Sequence, residues 1–217
     1  QKVIGIYPLL ATDQCRLLAV DFDKSDWKNC VTAFSEACLS LNIPFLVERS
    51  RSGHGAHVWI FFSEPIAAKQ ARLMGAGILD KAMELYPALD FESYDRMFPN
   101  QDHMPAGGFG NLIALPLQKH ARALGNSTFI DSNFNAFTDP WTVLQQTELM
   151  SSSEVNNIVN ELGYNFIEQN QIDVDHEAPW VKNIPKKNQK IAGCPDAIEL
   201  VFANMIHIPI QTLPSQL

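Results

Sequence analysis

The stretch IPFLVERSRSGHGAHVWIFF, residues 43–62, is two apolar runs around a polar centre. IPFLVE at 43–48 and GAHVWIFF at 55–62 have the length and the aromatic and branched content of strands. The short segment between them, carrying Gly53 and Gly55, predicts a hairpin. That segment is too flexible and too polar to be good core. Its glycines let backbone N–H groups approach an anion closely. His57 opens the second strand on the same face as Trp59 and Phe61, and Arg49 and Arg51 add cationic reach. The competing reading is an ordinary turn beside a half-buried histidine, because short glycine motifs are common.

Working outward, LLAVDFD at 17–23 reads as a buried strand. Ser25 or Asp26 then caps a helix whose Trp27, Val31, Phe34, Cys38 and Leu41 recur at helical spacing. SEPIAAKQARLMGAGILDKAMEL at 63–85 predicts a longer helix with Pro65 near its first turn. The first 85 residues therefore read β-α-β-β-α. A stretch rich in Pro, Gly, Asp and Asn follows at 87–110, then strands at 112–118 and 127–131 and helical patterns around 140–163. Residues 166–217 are polar and irregular apart from a small apolar segment, and read as an extension or linker toward further domains.

Composition bounds the function. The chain has 217 residues with a net charge of −8, which counts against nucleic-acid binding by charge alone. A local basic groove, or carboxylates neutralised by metal ions, remains compatible with it. No apolar run is long enough to span a bilayer, so no membrane partner is expected. Cys15, Cys30, Cys38 and Cys194 form no CxxC pair and read as free thiols of a reducing compartment. The chain opens on Gln1 with no signal peptide, the pattern of a piece cut from a longer protein.

Three further groups carry chemistry. Asp21 and Asp23 stand at i and i+2 and so project from one face of a strand end. Paired carboxylates suit a hard divalent cation such as Mg²⁺ or Mn²⁺, though strand-end and helix-capping acids look the same in sequence. In SYDRMFPNQD at 93–102, Asp95 offers a third carboxylate, with Asp90 and Asp102 as rivals. After GGFGNLIALPLQ at 107–118 come Lys119, His120 and Arg122, placed either to meet phosphates or to form a solvated turn.

In that order, LLAVDFDKSDW, ERSRSGHGAHVWIFF, YDRMFPNQD and GGFGNLIALPLQ resemble the archaeo-eukaryotic primase superfamily. Their wording is closest to the primase-polymerase domain of TOTE conflict systems and its CRISPR-associated relatives. The matched pieces lie between residues 17 and 118, and IAGCPDAIELVFANMIHI at 191–208 resembles the segment leading toward a helicase region. The resemblance implies an α+β catalytic core over residues 1–165, an RRM-like sheet module joined to an N-terminal αβ unit, with the active site in a cleft between them. It implies a template-directed DNA primase-polymerase acting on template, primer and dNTP or rNTP in a prokaryotic cytoplasm, alongside helicase or nuclease domains.

Asp21, Asp23 and Asp95 are then the catalytic acids and hold two Mg²⁺ or Mn²⁺ ions about 3.5–4 Å apart. His57 holds the triphosphate, with Arg49, Arg51, Ser52, Gly53, Gly55, Lys119 and Arg122 around the nucleotide. The family's Ser-x-His motif has Gly55 at its serine place here, leaving Ser52 upstream. The alternatives are a metal-dependent nuclease or phosphohydrolase using the same acids, and a non-catalytic module that binds single strands.

Overall fold

The structure, a computed structural model, describes residues 3–23, 25–89 and 96–164. In chain order the elements are β1 (Gly5–Ile6), β2 (Gln14–Phe22), α1 (Trp27–Ser40), β3 (Leu46–Arg49), β4 (Ala56–Ala67) and α2 (Ala68–Leu85). They continue as β5 (Arg96–Phe98), β6 (Ile113–Ala114), α3 (Lys119–Arg122), β7 (Thr128–Ile130), α4 (Pro140–Gln146) and α5 (Ser152–Glu161). The fold class is α+β, with every strand pair antiparallel.

The main sheet has five strands in the order β5-β2-β4-β3-β7. From β2 to β5 the chain runs β-α-β-β-α-β, with the fourth strand beside the first and the third between first and second. That is the RRM-like, split βαβ arrangement. Ahead of this module the described residues hold only β1, which pairs with β6 from beyond the module in a separate two-stranded sheet. This small sheet thus draws its two strands from either side of the module in sequence.

Alternation along the strands assigns the two sheet faces. Val20, Val58, Ile60, Phe62 and Ile130 pack with Val31, Phe34 and Cys38 of α1 and Met74 and Ile78 of α2. Gly75 brings α2 close to the sheet, since a Cβ there would lie 2.9 Å from Leu18 and 2.8 Å from Met97. The opposite face carries Leu17, Ala19, Trp59, Phe61, Phe98 and Phe129, and all of them are buried.

The β3–β4 hairpin forms as its sequence predicts. The predicted helix at 63–85 begins later, at Ala68, and β4 runs on through Ala67. Cys15 pairs Ile66 and Leu17 pairs Phe61, so residues 62–65 bulge from the ladder. Pro65 fits this bulge because it has no N–H to contribute to a ladder. The strands expected at 43–48 and 112–118 shrink to β3 and the two residues of β6. Asp26 flanks α1 without capping it through its side chain; its carboxylate instead accepts hydrogen bonds from Asn29 Nδ2, at 2.7 Å, and the Tyr86 hydroxyl. Cys15, Cys30 and Cys38 are buried free thiols, and Cys194 lies outside the described residues together with the whole of 165–217.

Candidate active site

One cross-strand row holds the polar residues of the otherwise apolar face. Arg96 on β5 stands opposite Asp21 on β2, Asp21 opposite His57 on β4, and His57 opposite Glu48 on β3. Directly opposed residues lie close enough for their side chains to interact, and His57 does so with both of its neighbours. His57 Nδ1 lies 2.8 Å from Glu48 Oε2, and its Nε2 lies 3.4 Å from Asp21 Oδ1. The first is a good hydrogen bond. The second is an ion pair at the long end of hydrogen-bonding range.

Glu48 is 1 % exposed. Its Oε2 also accepts from Trp59 Nε1 at 3.0 Å, and its Oε1 accepts from the Ser127 hydroxyl at 3.1 Å. Burial works against a charged imidazole, but hydrogen bonds and attraction from Asp21 and Glu48 outweigh it and push the His57 pKa up to about 10. The two carboxylates thus favour the charged imidazolium, the form in which both ring nitrogens carry protons.

Asp23 follows the end of β2 and is exposed, whereas the Asp21 carboxylate is 17 % exposed. The hairpin packs tightly against this strand end. A Cβ on Gly55 would lie 2.5 Å from the Phe22 carbonyl oxygen and 3.0 Å from Asp23 Cα. The serine of the family motif has no room here, which gives the physical reason for Gly55. Gly53 has φ +80 and lies against Asn126, so the turn is clamped from the β7 side as well.

The other expected nucleotide ligands divide. Ser52 shares a 3.0 Å hydrogen bond with Ser50, and its hydroxyl also accepts from His54 N–H at 3.2 Å. Gly53 N–H donates to Ser50 O at 3.0 Å. The Gly53 and His54 amides thus make bonds within the turn itself. Arg51 is exposed in the same turn. Arg49 falls on the other sheet face, where its guanidinium donates to Gly125 O at 3.2 Å and Phe134 O at 2.5 Å. It is not brought to His57.

Lys119 and Arg122 lie in α3, Lys119 exposed and Arg122 over the Trp141 ring at 5.7 Å. The segment around α3 is tied to the row through Ser127, because Gln118 N–H donates to Ser127 Oγ at 3.2 Å and Leu117 N–H to Ser127 O at 2.7 Å. Asp90 and Asp95 lie outside the described residues. Asp102 is paired with Arg72 of α2. No group of three or more metal-ligating side chains occurs among the described residues. Glu48 is the residue that reading the sequence missed.

A family model described as the TOTE conflict system, archaeo-eukaryotic primase domain matches residues 1–158. The chain belongs to this family. Its Asp21–His57 row is therefore the polar centre of an archaeo-eukaryotic primase domain, a family of primase-like nucleotidyltransferases. No curated protein matches the chain. Among the described residues no helix of the primase domain is long and apolar enough to cross a membrane.

Proposed function

We propose that the domain is a template-directed nucleotidyltransferase, a DNA primase-polymerase that joins dNTP or rNTP to a 3′-hydroxyl. The observation that carries the reading is the cross-strand placement of Asp21 beside His57, within a domain of primase sequence. Transfer of a nucleotidyl group needs anionic oxygens to hold cations and a cationic donor to hold the triphosphate, side by side on a rigid support. A central pair of sheet strands provides that support.

The donor chemistry fits Mg²⁺ or Mn²⁺. Asp21 and Asp23 offer carboxylate oxygens at one strand end, and His57, being protonated, does not compete as a ligand. Asp21 and Asp23 would hold the ions, with Asp95 as the proposed third acid. The chemistry such ions supply when bound is activation of the 3′-hydroxyl and neutralisation of charge on departing pyrophosphate. His57 binds and orients the β- and γ-phosphates through Nε2–H. Gly55 keeps the hairpin against the Asp23 end of β2, so the phosphate donor and the acids hold one spacing. Arg51, Lys119 and Arg122 are proposed as the outer cationic ring that meets nucleotide or strand phosphates.

The test is a gel assay on the purified chain with a labelled primer on a longer template, and with template alone plus labelled nucleotide. Each is run with dNTPs or rNTPs and with Mg²⁺ or Mn²⁺, beside a folded Asp21→Ala/Asp23→Ala control. Extended strands that need metal and vanish in the control are expected. Shortened strands would replace the reading with the nuclease. Strand binding without turnover, metal or nucleotide would replace it with a non-catalytic module.

A further inference from the structure

We propose that Glu48 is a positioning residue for nucleotide binding: it locks the His57 ring so that Nε2 is the edge presented beside Asp21. The inference rests on the triphosphate role given to His57 above. A carboxylate buried in an apolar sheet is costly unless every oxygen is paired, and an apolar replacement of similar size is often no less stable. Glu48 pays that cost in full view of the ring it holds.

The geometry shows how. The carboxylate is clamped by groups that themselves cannot move. Trp59 is fully buried and stacked on Phe61, with ring centroids 6.2 Å apart and planes 8° from parallel. Ser127 is fully buried and held at φ 49, a backbone region that non-glycine residues seldom enter. Its carbonyl and hydroxyl oxygens take the Leu117 and Gln118 N–H groups. With Oε1 on Ser127 and Oε2 on Trp59, the acceptor offered to His57 Nδ1 is fixed in place. Rotating the imidazole about its Cβ–Cγ bond therefore breaks the Nδ1 bond and leaves Oε2 with Trp59 alone. Nε2 is left as the edge that faces Asp21.

Two substitutions separate placement from charge. In Glu48→Gln the amide oxygen still accepts from His57 and Trp59, and the NH₂ donates to the Ser127 hydroxyl. Glu48→Leu keeps the bulk and removes all three bonds. The readouts are steady-state nucleotide incorporation and calorimetric binding of inorganic tripolyphosphate in chelator-treated buffer. Glu48→Leu is expected to raise the nucleotide KM and weaken tripolyphosphate binding about tenfold or more, with kcat changed about threefold at most. Glu48→Gln restores both to within about threefold of wild type. Ile78→Ala, on the helix face, is the control: it lowers the melting temperature and leaves KM alone.

A Glu48→Leu protein that loses only thermal stability would overturn the proposal. So would a Glu48→Gln protein as impaired as Glu48→Leu. Should Glu48→Leu not fold, His57→Gln and His57→Asn decide. Gln sets its amide nitrogen near the Nε2 position and Asn near Nδ1, so the Gln variant must bind tripolyphosphate better, and equal or reversed affinities refute the proposal. Wild-type protein that binds tripolyphosphate but incorporates nothing would remove the polymerase reading and leave Glu48 standing. Wild-type protein that does not bind it overturns both.

Discussion

Replacing His57 with Gln should flatten the pH dependence of stability. Folding raises the His57 pKa from 6.5 to about 10. The folded protein therefore holds a proton that the unfolded chain has released throughout that interval. Its contribution is complete below about pH 6.5 and is lost as pH climbs toward 10. At about 1.4 kcal/mol per pH unit, the loss between pH 6.5 and 9 is about 3 kcal/mol. For a chain of this size that corresponds to a melting temperature lower by roughly 6–12 °C. The assay is thermal unfolding at constant ionic strength from pH 6 to 9.5, wild type beside His57→Gln, without divalent metal. Staying below pH 9.5 keeps Tyr86 and Tyr164, whose pKa values are also raised, out of the comparison. The difference between the two proteins must shrink steadily with pH. Parallel curves would refute the charged His57 between Asp21 and Glu48.

Gly55→Ala should cost about 1–3 kcal/mol by forcing the hairpin off the Phe22 carbonyl, and should lower nucleotide incorporation, as measured by denaturant unfolding and primer extension. Arg49→Ala should cost about 1–2 kcal/mol through its lost bonds to Gly125 and Phe134, while the nucleotide KM stays put; a raised KM would return Arg49 to the site. Asp102→Ala should leave incorporation unchanged and shift stability by about 1 kcal/mol at most, because its partner Arg72 is on α2 and the pair is part-exposed. Asp21→Ala in the same assay should abolish incorporation.

The β-α-β-β-α order was legible because the apolar runs change period where the elements change, and the glycine-rich hairpin announces its own turn. The end of β4 was not, since Pro65 reads equally as a first-turn helix residue and as a bulge residue. Only the pairing partner, β2, decides between them. His57 could be put on the face of Trp59 and Phe61 from strand alternation, and Asp21 is its direct partner across β2 and β4. Arg49 could not. A one-residue step along a strand changes the face, so neighbours in sequence such as Glu48 and Arg49 part company in space.

Glu48 left a signal that went unread. An acid at the end of IPFLVE, in phase with Leu46, lies on the face that alternation makes apolar. Such a residue needs buried donors, and His57, Trp59 and Ser127 are those donors. Ser127 is nearly eighty residues away in sequence and could be identified only by folding the chain.

The most direct test of the central claim is a crystal structure of the domain with Mn²⁺ and a non-hydrolysable nucleoside triphosphate. The account predicts anomalous density within coordinating distance of the Asp21 and Asp23 carboxylates, and a terminal phosphate on His57 Nε2. Mn²⁺ elsewhere, or a triphosphate bound away from the Asp21–His57 row, would contradict it.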